Sequence, residues 1–217
     1  MRIVLLGAPG AGKGTQCKRI VDGYRLAHLS SGDILRRHRA AGTELGKKAR
    51  SYMDSGGLVP DEVIVAMMVE EIKRTGEGGF VLDGFPRTVN QARELDKALA
   101  SNGRKIDLVL NLKIDDELVF QRMTGRRSCP VCGAVYHVEN LKPKVEGICD
   151  RDGAELVQRP DDAREVVAER LETYHRLTEP VVDYYKDNNT VYDIDAGLSV
   201  DEAGDLVSEK LDALIKA

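Results

Sequence analysis

The sequence predicts an α/β fold built on a five-stranded parallel sheet. Five short β-type runs, RIVLLGA (2–8), AHLS (27–30), GFVLDGF (79–85), LVLNLKI (108–114) and VYDIDA (191–196), are separated by amphipathic helical stretches. The first, third and fourth are near-continuous apolar runs, as expected of parallel strands covered on both faces. Strand–helix alternation of this kind implies right-handed crossovers.

Taken in order, the helical stretches have readable ends. DEVIVAMMVEEIKR (61–74) carries Val63 and Met67 at helical spacing, and residues 88–103 run from a Thr88 cap to an Asn102-Gly103 stop. Residues 162–187 form one long helical stretch in which Pro180 is expected to introduce a bend. Two segments break the alternation: 30–59 promises helices without a new strand, and 125–160 is rich in Gly, Pro and Cys. Both read as inserts in a core made of 1–29, 60–124 and 161–217, and no internal repeat or low-complexity segment is evident.

Composition narrows the class. The chain has 217 residues, 42% hydrophobic and 31% charged, as in a globular protein with a real core. No apolar run approaches the roughly 18–20 residues that span a bilayer. The N-terminal apolar run ends in glycines and a lysine, not a cleavage site, so a cytoplasmic location and no membrane partner are expected. A net charge of −4 without a basic tail argues against a nucleic-acid partner. Nothing in the sequence asks for more than a monomer.

The strongest motif is GAPGAGKGT (7–15), which follows an apolar strand and opens a helix. Backbone N–H groups of such a P-loop converge on phosphate oxygens, and the helix N-terminus adds positive potential. Lys13 supplies a point charge to the outer phosphates. The fold expected is therefore P-loop NTPase-like. The strict pattern wants Ser or Thr directly after the lysine, where Gly14 stands, followed by Thr15. GFVLDGFPRT puts Asp83 and Arg87 at the carboxyl end of the third strand, the edge where ligands bind in open α/β sheets. Asp83 either holds Mg²⁺ through water or caps the next turn; Arg87 can grip a phosphate bidentately.

The cysteines are Cys17, Cys129, Cys132 and Cys149. Three cluster, in the pattern C-x₂-C-x₁₆-C-x₂-D that ends at Asp152. Two knuckles so spaced read as a tetrahedral Zn²⁺ site, and four protein ligands leave no open position for catalysis. An insert of this size buries little core and needs a staple. Cys17 reads as a buried small hydrophobe, and His28, His38, His137 and His175 read as structural or solvated. The acidic C-terminal stretch reads as a solvated helix face.

Taken together, GAPGAGKGTQ, SSGDILR, GLVPDEV, DGFPRT, TGRR, CPVCG and RPDD resemble the adenylate kinase family in order and spacing, over nearly the whole chain. In that family a glycine after the P-loop lysine is normal. The resemblance implies transfer of a phosphoryl group from MgATP to AMP giving two ADP, so that ATP, AMP and ADP are the partners. It also implies that 30–59 is the nucleoside-monophosphate insert and 125–160 a lid that carries zinc in some members. Carried over by position, Gly10, Ala11, Gly12, Lys13, Gly14 and Thr15 cradle ATP phosphates, with Arg122, Arg126, Val135, Tyr136 and the backbone of Leu198 on the ATP side. Ser31, Arg36, Gly57, Leu58, Val59, Gly84, Phe85, Pro86, Arg87 and Gln91 meet AMP, Gln91 at the adenine edge. Arg159 and Arg170 reach the AMP side as well, and Lys13, Arg87, Arg122, Arg126, Arg159 and Arg170 form the catalytic cation set. Asp83 organises Mg²⁺. This chain departs from the family where Ser31 stands for a more usual Thr, Ala196 for Gly, and Val135 for Thr. The alternatives are another nucleoside monophosphate kinase, acting on UMP, CMP or GMP, and a P-loop NTP-hydrolysing switch.

Overall fold

A computed structural model describes residues 1–55, 57–76, 78–187 and 191–216. The central sheet consists of β1 (Arg2–Gly7), β2 (Ala27–Ser30), β3 (Phe80–Asp83), β4 (Leu108–Lys113) and the late strand Val191–Asp195. Its order is β2, β3, β1, β4 and then the late strand, with every pairing parallel. Alternate residues of β1 enter two different cores. Ile3 and Leu5 pack with Cys17 and Ile20 of α1 (Lys13–Tyr24) and with Val207 and Leu211 of the C-terminal helix Val200–Lys216. Val4 and Leu6 face the opposite core, with Ile64 and Met68 of α4 (Asp61–Arg74) and Leu95 of α5 (Val89–Ala100). Burial on both faces is the reason these strands lack alternation.

Residues 30–59 form α2 (Ser31–Ala40) and α3 (Glu44–Asp54), capped by Ser30 and Thr43. After α6 (Asp116–Thr124), two short strands the sequence reading did not separate, β5 (Arg126–Ser128) and β6 (Val135–His137), pair antiparallel. Three residues each is too short for a period to register. Helix α5 starts at its Thr88 cap and ends at Ala100, after which turns carry the chain to Gly103.

The stretch 162–187 is not one bent helix. It divides into a 3₁₀ turn (Pro160–Asp162), α7 (Arg164–Thr173), a π turn (Tyr174–Thr178) and α8 (Glu179–Lys186). Pro180 has no N–H to donate and its ring crowds the preceding turn. The chain accommodates it with a widened turn in which Glu179 N–H reaches Tyr174 O, five residues back. Among the described residues no helix is long and apolar enough to cross a membrane.

Candidate active site

The site lies at the carboxyl ends of β1, β2 and β3. The loop after β1 passes Gly10 (φ 76°) and Gly12 (φ 88°), left-handed conformations that side chains resist, and enters α1 with no side-chain cap. The N–H groups of the first turn therefore stay open toward the loop. Lys13 Nζ donates to Gly7 O (2.7 Å) and Ala8 O (2.8 Å). Burial pulls its pKa down to about 7; Asp83 opposes the shift, while Arg87, Arg170 and Arg126 add to it. An ammonium with three guanidiniums in electrostatic reach makes a strongly cationic pocket, suited to a polyanionic group.

Asp83 ends β3 and its carboxylate lies 3.8 Å from the point where a Cβ at Gly14 would stand, so it faces the loop. His28, read from sequence as structural or solvated, sits with Nε2 3.7 Å from Asp83 Oδ2, an interaction that raises its pKa against the opposing effect of burial.

A cleft opens beside this loop, lined by Ser31, Arg36, Gly57, Leu58, Val59, Gly84, Arg87, Gln91 and Arg170 among the residues expected to meet a second nucleotide. Ser31 Oγ donates to Gly84 O (2.6 Å) and Arg87 Nε donates to the same oxygen (2.8 Å). Phe85 and Pro86 are buried behind the cleft, joined by a cis peptide bond. Arg159 does not line it, but lies close enough to Arg126 and Arg36 that burial and those two charges bring its pKa down to about 10. Arg170 is likewise pulled to about 10, by burial first and with Asp161 opposing.

On the loop's other side the expected residues are more dispersed. Arg122 occupies the last turn of α6, its pKa lowered by burial and partly restored by Asp195. Leu198 packs against the core of α1 and the C-terminal helix. Val135 is exposed, whereas Tyr136 turns inward, its hydroxyl accepting from Asp150 N–H (2.8 Å).

Within the 125–160 insert, Cys129, Cys132, Cys149 and Asp152 place their ligand atoms within 4.8 Å of one another. The two knuckles share one hydrogen-bond pattern: Cys129 N–H reaches Ala134 O and Gly133 N–H reaches Cys129 O, while Cys149 N–H reaches Ala154 O and Gly153 N–H reaches Cys149 O. Such a local repeat is invisible at the scale of whole elements. Cys132 Sγ and Cys149 Sγ are 3.6 Å apart. A tetrahedron with metal–sulfur bonds of ~2.3 Å has edges of ~3.8 Å, so the donor set fits a single tetrahedral ion.

The family model for adenylate kinase matches residues 5–190. Curated relatives named adenylate kinase cover nearly all of the chain. That of Caldicellulosiruptor bescii is 48% identical over 215 residues, 99% of each chain. That of Lachnospira eligens is 47% identical over 203 residues, 93% of this chain and 95% of the relative. The Archaeoglobus fulgidus protein is 50% identical over 196 residues, 90% of each. The chain belongs to the adenylate kinase family.

Several residues that hold this adenylate kinase site in shape were not singled out from sequence. Asp162 is fully buried and receives both Nε (2.9 Å) and Nη2 of Arg126, and Asp161 receives Nη1 of Arg170 (2.8 Å). Burial would raise the Asp161 pKa, but Arg170, Arg126 and Arg159 outweigh it and hold the carboxyl below its ordinary value. Thr178, in the π turn, donates to Arg87 O (2.9 Å). At the root of the β5–β6 segment His137 Nε2 contacts Gln121 O (3.2 Å), and its Nδ1 accepts from the N–H groups of Glu139 and Asn140. The ring occupies the space beside Gly125, where any Cβ would collide with it. RPDD contains both aspartates, so the motif itself was the available signal.

Proposed function

We propose that the chain transfers a phosphoryl group reversibly from MgATP to AMP, giving two ADP, with the acceptor in the Ser31–Gln91 cleft and the donor on the P-loop. One observation carries the reading: Arg87, Arg126 and Arg170 all lie in electrostatic reach of Lys13 on the loop, and Arg87 and Arg170 also line the cleft. Phosphoryl transfer passes through a loose transition state with charge spread over oxygens, so positioning and cations do most of the work. No side-chain nucleophile is required. Arg87 and Arg36 hold the acceptor phosphate, Lys13 and the loop N–H groups the donor phosphates, and Arg126, Arg159 and Arg170 the group in transit. Arg122, Val135, Tyr136 and the backbone of Leu198 flank the donor. Bound with ATP, Mg²⁺ supplies charge neutralisation at the phosphate oxygens, and Asp83 is the carboxylate that would hold it through water.

Residues 30–59 and 125–160 act as covers on the core, and the protein acts as a monomer. An acceptor panel of AMP, UMP, CMP and GMP with MgATP tests the assignment. Turnover is expected with AMP; turnover confined to another acceptor, or ATP hydrolysis with no acceptor, overturns it.

The four-ligand cluster is assigned to Zn²⁺ as a staple with no part in the chemistry. The buried side chains around it are few, Ala134, Tyr136 and Leu156 besides two cysteines, too few to hold some 35 residues by packing. One zinc per chain is expected by metal analysis. Cys149→Ser is expected to release it and lower the melting temperature by roughly 10 °C while the central sheet stays folded. A metal-free wild-type chain, or an unchanged melting temperature in the variant, contradicts the assignment.

A further inference from the structure

We propose that Asp61 sets the acceptor-base specificity of the cleft by locking the orientation of the Gln91 amide. The inference rests on the reading of Gln91 as the residue that meets the base edge. Gln91 is 2% exposed and lines the cleft from the first turn of α5. Its Nε2 donates to Asp61 Oδ1 (2.7 Å), and its Oε1 accepts from Arg87 N–H (2.6 Å). A carboxylate only accepts and a backbone N–H only donates, so each end of the amide has one permitted occupant. Turned over, the amide would set oxygen against carboxylate and NH₂ against N–H, two repulsions in a site screened from water.

Asp61 is itself pinned. Its Oδ2 receives Thr88 Oγ1 (2.9 Å) and Asn90 Nδ2 (2.9 Å), and it stands at the first residue of α4, where a negative charge favours the helix. Thr88 closes the circuit by capping α5 through Gln91 N–H (3.0 Å). After these contacts the amide retains one Nε2 hydrogen and one Oε1 lone pair. Adenine presents an acceptor at N1 beside a donor at N6, which complements that pair. Hypoxanthine and guanine present a donor at N1 and an acceptor at O6, which does not. A glutamine free to turn over would serve either edge. Discrimination therefore resides in the lock, and Asp61 is a positioning residue that never touches the base.

Asp61→Asn tests this, because its own amide can partner Gln91 in either orientation. Steady-state constants are measured with AMP and with inosine monophosphate as acceptors. The ratio of kcat/KM for AMP over inosine monophosphate is expected to fall at least about tenfold, mainly through KM for AMP, with KM for ATP unchanged. Gln91→Leu run in parallel separates the two layers. If Gln91→Leu leaves the AMP preference intact, the reading of Gln91 is wrong. If it erases the preference while Asp61→Asn retains it, the lock alone is wrong. Should Asp61→Asn not fold, the side-chain amide protons of Gln91 in the wild-type protein decide the matter by NMR: slow solvent exchange supports the lock, and fast exchange overturns it.

Discussion

Lys13→Ala is expected to lower kcat at least about a hundredfold, the scale seen on removing one charge-stabilising donor from a closed site. The fold should survive. Lys13 Nζ hydrogen-bonds the carbonyl oxygens of Gly7 and Ala8, and among the described residues it belongs to none of the apolar cores. The pH dependence supplies a second test. Burial and the three nearby guanidiniums bring the folded pKa to about 7, against about 10.4 in the unfolded chain. Between those values the unfolded chain holds the extra proton, so Lys13 makes stability rise with pH across that window. Lys13→Ala removes that rise and is expected to be neutral or slightly stabilising at pH 7. Donor phosphates reverse the effect, since they favour the ammonium. ATP binding at pH 8–9 should therefore take up a proton, measurable by calorimetry in buffers of different ionisation enthalpy, and Lys13→Ala should not. Near-normal turnover, or no proton uptake by the wild-type protein, would remove Lys13 from the assigned role.

The parts legible in sequence were those whose physics is local. The P-loop is a strand, a glycine turn and a helix start within nine residues, and the two knuckles each repeat Cys, two residues, a ligand and Gly. The apolar strands declared a sheet covered on both faces, although not the order in which they pair. What escaped are partners distant in the chain. Thr178 supports Arg87 across 91 positions and Asp61 orients Gln91 across 30. Neither threonine nor aspartate advertises such a role, since each is as common in caps and turns. The π turn escaped for a different reason: Pro180 signals a fault in a helix but not how the backbone absorbs it. His28 was passed over because its neighbour Asp83 belongs to another strand and meets it only through the sheet register.

Arg126→Met is expected to cost about 3 kcal/mol of stability and to slow turnover at least about a hundredfold, and the two losses have separate causes. The first arises at Asp162, which has no exposed surface and takes two hydrogen bonds from the Arg126 guanidinium. Removing the cation strands a buried carboxylate. Arg170, 3.8 Å from Asp162, already serves Asp161 and can relieve only part of that cost, which keeps the expected loss near the lower end for a broken buried pair. The second loss arises because Arg126 is one of the cations around Lys13. The double variant Arg126→Met/Asp162→Leu separates them. Replacing both members of a buried pair by apolar side chains is often neutral, so urea denaturation should return most of the lost stability. The rate should not return, because the guanidinium is still missing from beside Lys13. Recovery of both would make Arg126 a structural strut for the 3₁₀ turn at Pro160–Asp162 and leave the transferring phosphate to Arg159 and Arg170. Recovery of neither would mean that Asp162 holds the chain by contacts other than its pair with Arg126.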